Sequence, residues 1–153
     1  SFVLKSPNYP TTPLADALDQ MYPGLHVFGS ITLNQSIGGI NPDAVQVSAD
    51  LGAKIVWMPT SKTHRQETTE SSPIKLEILD GANDLLPKAA DVIDIIAEQD
   101  MVLASGHISP RETIKLFEEA KTRGVRRMIA THPYGVATYL EDRKSTRLNS
   151  SHW

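Results

Sequence analysis

Met101-Val102-Leu103-Ala104-Ser105-Gly106-His107, followed by Ile108-Ser109-Pro110, and Arg127-Met128-Ile129-Ala130-Thr131-His132, followed by Pro133, are two apolar runs that each stop on a histidine. Between them Ile114, Leu116, Phe117 and Ala120 recur at helical spacing. Ser109 with Glu112 three residues on reads as a capping box, Pro110 occupies the first helical position, and Gly124 closes the C-terminus. A strand ending in His, a helix, and a second strand ending in His is how a parallel α/β barrel presents metal ligands. All strands of such a barrel finish on one face, and that face holds the chemistry.

Outward from this unit the alternation repeats. Phe2 to Lys5 reads as a strand, and Thr11-Thr12-Pro13 opens a helix with Leu14, Ala15, Leu18 and Met21 on its apolar side. Leu25 to Leu33 reads as one strand ending on Asn34. Asn41-Pro42 caps a helix with the stripe Ala44, Val45, Val47 and Leu51, closed by Gly52. Lys54 to Met58 is the next strand, and Ser61 to Ser72 is a polar loop. Ile74 to Ile78 alternates as a short exposed strand does, Asp80-Gly81 marks a turn, and Ala89 to Gln99 is a helix burying Val92, Ile93, Ile95 and Ile96. The expected fold is α/β: an incomplete (β/α) TIM-like barrel of about five parallel strands with flanking helices. An open doubly wound sheet is the rival architecture.

Candidate chemistry sits where strands end. Neutral imidazole is the commonest metal ligand, and His107 and His132, from neighbouring strands, are placed to share one ion. His64, in the loop after Trp57-Met58-Pro59-Thr60, is a candidate third ligand, proton shuttle or substrate contact. Lys5 ends the first strand, where a lysine binds a carboxylate or phosphate, acts as a base when desolvated, or bridges metals when carboxylated. Asn34 and Thr60 also end strands and either orient a ligand or only terminate the strand. His26 opens its strand and belongs to the opposite, stability-bearing end. Gly38-Gly39 lacks the spacing of a dinucleotide or P-loop fingerprint, no carboxylate pair suits a glycosidase, and Ser105 lacks a nucleophile elbow.

Composition narrows the class. The chain has 153 residues, 40% hydrophobic and 22% charged, which suits one globular domain. A net charge of −3 argues against nucleic acid, and no apolar run approaches the length of a membrane span. Without cysteine a metal must rest on His, carboxylate or modified Lys. A cytoplasmic location is the default. The chain begins at Ser1 inside an apolar run, as a severed strand would. Residues 142–152 lack core periodicity and resemble the translation of a sequencing-adapter oligonucleotide, so 1–141 is read as a partial hydrolase barrel and 142–153 as a non-native, disordered tail.

Several strings together carry a family resemblance: Val3-Leu4-Lys5-Ser6, Ile31-Thr32-Leu33-Asn34, Gly38-Gly39-Ile40-Asn41-Pro42, Val56-Trp57-Met58-Pro59-Thr60, Ser105-Gly106-His107 and Thr131-His132-Pro133. Over most of Phe2 to Leu140 the chain resembles an uncharacterised family of amidohydrolase-like metal-dependent hydrolases. The resemblance implies a distorted (β/α) barrel with one or two divalent metals. His107 and His132 match the later histidines of that pattern, whereas the His-x-His pair of the first strand and the late-strand Asp are absent. The expected activity is therefore metal-dependent hydrolysis of a small-molecule substrate, at a C–N, C–O or P–O bond, with zinc or a similar divalent ion. A piece lacking half its ligands is expected to be inactive. A lyase or aldolase using Lys5 as a Schiff-base amine, and a non-catalytic ligand-binding domain, are the alternatives.

Overall fold

The computed structural model describes residues 1–61 and 76–133. The elements are β1 (Phe2–Val3), α1 (Thr12–Met21), β2 (Val27–Phe28), β3 (Ser30–Thr32), a 3-10 turn (Gln35–Ile37), α2 (Pro42–Asp50), β4 (Ile55–Trp57), α3 (Pro87–Glu98), β5 (Val102–Ala104), α4 (Pro110–Thr122) and β6 (Arg127–Ile129). Among the described residues every strand pairing is parallel: β1 with β2, then β3, β4, β5 and β6 in consecutive order. The order has no reversal point among these strands. The result is a mixed α/β fold with parallel strands.

Register separates the two faces. Ile31, Val56, Leu103 and Met128 form one row across β3 to β6. The first three are fully buried in one core with Val45 of α2, Val92, Ile93 and Ile96 of α3, and Leu116 and Phe117 of α4. Burying each such side chain contributes roughly 1.5–3 kcal/mol. The next row, Thr32, Trp57, Ala104 and Ile129, points to the opposite face, because side chains alternate along a strand. Helices α2 and α3 pack on each other, as do α3 and α4, and α1 packs on β2.

The caps follow local chemistry. The Asn41 side chain accepts from the Ala44 N–H, and Ser109 and Glu112 complete the capping box of α4. Glu112 also reaches out of its helix, its other carboxylate oxygen accepting from the Ile78 N–H at 3.3 Å.

Several expectations need correction. Leu25 to Leu33 is not one strand but two, broken at Gly29. A Cβ there would lie 2.4 Å from the Thr12 Cα, so the start of α1 presses directly on the break. The apolar stripes of α1 and α2 are narrower than their composition suggests. α1 buries Thr12 and Ala15, three apart, and leaves Leu14 and Met21 exposed; α2 buries Val45 and Ser48 and leaves Val47 and Leu51 exposed. Ile95 of α3 is only half-buried. Of the exposed strand expected at Ile74 to Ile78, the described part, residues 76–78, forms no strand: Leu76 and Ile78 are buried in a connection that turns at Asp80, with an isolated bridge from Leu79 to Leu85. Most of the loop expected at Ser61 to Ser72, and the tail expected at 142–153, lie outside the described residues. No helix among the described residues is long and apolar enough to cross a membrane.

Candidate functional site

The ends of β1, β3, β4, β5 and β6 converge on one mouth, and uncharged polar groups lock them there. At β1 the Leu4 carbonyl accepts from the Thr11 and Ser30 hydroxyls, each at 2.7 Å, which holds the backbone entering Lys5. At β3 the Asn34 amide is saturated. Its nitrogen donates to the Pro7 carbonyl at 2.9 Å and the Thr60 hydroxyl at 3.0 Å, and its oxygen accepts from the Thr60 and Ser61 N–H groups. One side chain thus joins the loops after β1, β3 and β4.

The ends of β5 and β6 interlock reciprocally. The Thr131 N–H donates to the Ser105 hydroxyl at 2.9 Å, and the Gly106 N–H donates to the Thr131 hydroxyl at 3.2 Å. Gly106 has φ of +60°, and a Cβ on it would stand 2.1 Å from the Met58 carbonyl oxygen. Only glycine lets β5 close this tightly on the end of β4. The closure lets the His107 N–H reach the Pro59 carbonyl at 2.8 Å. His132 itself adopts a left-handed backbone, φ +47°, an uncommon conformation for a side-chain-bearing residue that recurs at functional sites.

His107 and His132 come together: their ring centres are 5.8 Å apart and their planes tilted by 49°. The Nδ1 atom of His107 lies 2.9 Å from the Thr60 carbonyl oxygen. A carbonyl only accepts, so Nδ1 carries the proton and the Nε2 lone pair of the neutral ring is left available. Burial holds this imidazole below its ordinary pKa; the Thr60 bond opposes that, and the charges of Lys5 and His132 reinforce it. The ring is therefore kept neutral, the form that binds a cation or accepts a proton.

Lys5 is the third member. Its ammonium stands 4.7 Å from the centre of the Trp57 ring, in cation–π range. Partial burial lowers its pKa. Thr32 and Trp57 are register partners on the face opposite the core, and both the Thr32 hydroxyl and the Trp57 indole N–H are buried without a partner. Trp57 and Thr32 were not among the residues that sequence reasoning singled out for chemistry. The signal for Thr32 is the alternation Ser30-Ile31-Thr32-Leu33-Asn34, which marks a polar face opposite an apolar one. His26 is exposed beside the start of β2, away from the mouth. His64 lies outside the described residues.

As a metal centre the mouth is half furnished. An ion about 2.0–2.1 Å from a nitrogen of each ring would leave the ring centres roughly 5–6 Å apart, which His107 and His132 match. Among the described residues no group of three His, Cys, Asp or Glu side chains converges to hold an ion.

Fold and mouth together define a parallel α/β protein with an imidazole pair and a lysine at the strand ends. The chain belongs to DUF6282, a family of unknown function, whose model matches residues 1–152. No curated protein and no solved structure matches it.

Proposed function

We propose that this chain carries the active face of a metal-dependent hydrolase of amidohydrolase type, built on a (β/α)-barrel sheet, with His107 and His132 as two ligands of a divalent cation. One observation carries the reading: the Thr60 carbonyl fixes the His107 tautomer, so that a neutral ring with an available Nε2 sits beside a second imidazole. A backbone carbonyl behind a ligating histidine is the usual means of orienting such a ring. The consecutive parallel strand order is the order a barrel uses, and the residues stand at the strand ends that carry barrel chemistry. The chemistry such an ion would supply is a bound water with a pKa near about 7 and polarisation of the scissile group of a small-molecule substrate. His107 and His132 would hold that ion, and further ligands, His64 among the candidates, would come from outside the described residues.

The test is direct. Zinc added to the chelator-stripped chain is followed by titration calorimetry, and His107→Ala and His132→Ala are each expected to weaken binding by about 10–100-fold. Zinc affinity unchanged in both variants overturns the reading.

A further inference from the structure

Among the described residues no ion pair or hydrogen bond engages the Lys5 ammonium, whereas Arg123 pairs with Asp94, and Arg126 and Arg127 with Asp100. The charged groups whose fields reach His107 are Lys5 and His132, both positive when charged. The indole face shelters one side of the ammonium and neutralises nothing. The floor nearby keeps two buried polar groups without partners, the Thr32 hydroxyl and the Trp57 N–H. An unsatisfied buried polar group is destabilising, and an apolar ligand would leave the floor's deficit untouched. The Trp57 N–H can only donate, as can the ammonium. With no described carboxylate paired to the ammonium, the group that answers it is an oxyanion.

We propose that the mouth binds an oxyanion, a carboxylate or a phosphate, through the Lys5 ammonium beside His107 and His132. This deepens the hydrolase reading by giving its substrate a negatively charged group, and it rests on that reading only in calling the ligand a substrate. The anion itself needs no metal. Lys5 positions it by charge and up to three N–H donors, and Trp57 reports it, because the ammonium that the anion engages lies over the indole.

Inorganic phosphate and malonate are the two probes, titrated separately into the full chain in chelator, with Trp153→Phe as background so that Trp57 is the sole tryptophan emitter. A saturable change in emission with phosphate, or with malonate, is expected, and the probe that binds tells the two oxyanions apart. Lys5→Met is expected to weaken that binding roughly tenfold or more, the effect of losing a charge-assisted contact, while Lys5→Arg stays within about threefold. Circular dichroism confirms that each variant keeps its fold. No saturable response to either probe, or equal affinity in Lys5→Met, overturns the proposal. Because chelator is present throughout, anion binding that survives in a chain unable to bind zinc sinks the hydrolase reading alone, and zinc binding without anion binding sinks this one alone.

Discussion

The two ends of the parallel sheet treat charge in opposite ways. Where the strands begin, Asp100 takes an oxygen to each of Arg126 and Arg127, both at 2.8 Å, and these partners are largely open to solvent. Where the strands finish, Lys5, His107 and His132 gather with no carboxylate among the described residues to offset them. The first end has charge partners and little order imposed by them, since exposed pairs contribute little. The second end is held by neutral hydrogen bonds from Asn34, Ser105, Thr131 and Thr11, groups that organise the loops without cancelling any charge. Charge pairing is thus concentrated at one end of the sheet, and neutral hydrogen bonds that order the loops at the other.

The comparison breaks first at Gly106. Gly106→Ala puts a methyl group against the Met58 carbonyl at a positive-φ position, and we expect a loss of about 3 kcal/mol or more, read from the urea midpoint. Unaltered stability would mean that the strand ends at the mouth are not interlocked. The contrast sharpens at Asn34. Asn34→Ala strands the Thr60 and Ser61 N–H groups and is expected to cost about 2 kcal/mol. Asp100→Asn at the other end is expected to change stability far less, with the small difference fading as salt is raised. If Asp100→Asn proves the more damaging, the division of roles is reversed.

The smallest effect is a pH slope. The folded pKa of His107 lies below its ordinary value of about 6.5, so the unfolded chain takes up this proton more readily than the folded one. Its contribution is therefore intact above about pH 6.5 and declines as pH falls from there through the lowered folded pKa. Denaturant unfolding in chelator, from about pH 7.5 to 5, should show a steeper acid loss in the wild type than in His107→Gln. Parallel profiles would remove burial as the determinant of this ring's state.

What could be read from the sequence depended on the range of the interaction. The caps at Asn41, Ser109 and Gly124, and the left-handed Gly52, were legible because each is settled within a few residues. The meeting of His107 and His132 was legible because the same strand-to-histidine pattern occurs twice around one helix. Gly29 was misread because the residue that demands it, Thr12, comes from another element. Val47 and Leu51 look like core residues until the stripe through Val45 and Ser48 turns them outward. The Thr60 carbonyl that orients His107 carries no sequence signal, since every residue has one. The stacking of Lys5 on Trp57 joins two strands far apart in the chain, and nothing local announces it.

The break at Gly29 also decides what holds the backbone before Lys5. The ladder between β1 and β2 ends at Val3 and Phe28. Beyond it the Ser30 N–H turns to the Thr11 hydroxyl, and the Leu4 carbonyl is met by two hydroxyls in place of a backbone N–H. Lys5 therefore departs from backbone tethered by side chains, and its ammonium comes to lie 4.7 Å from the centre of the Trp57 ring.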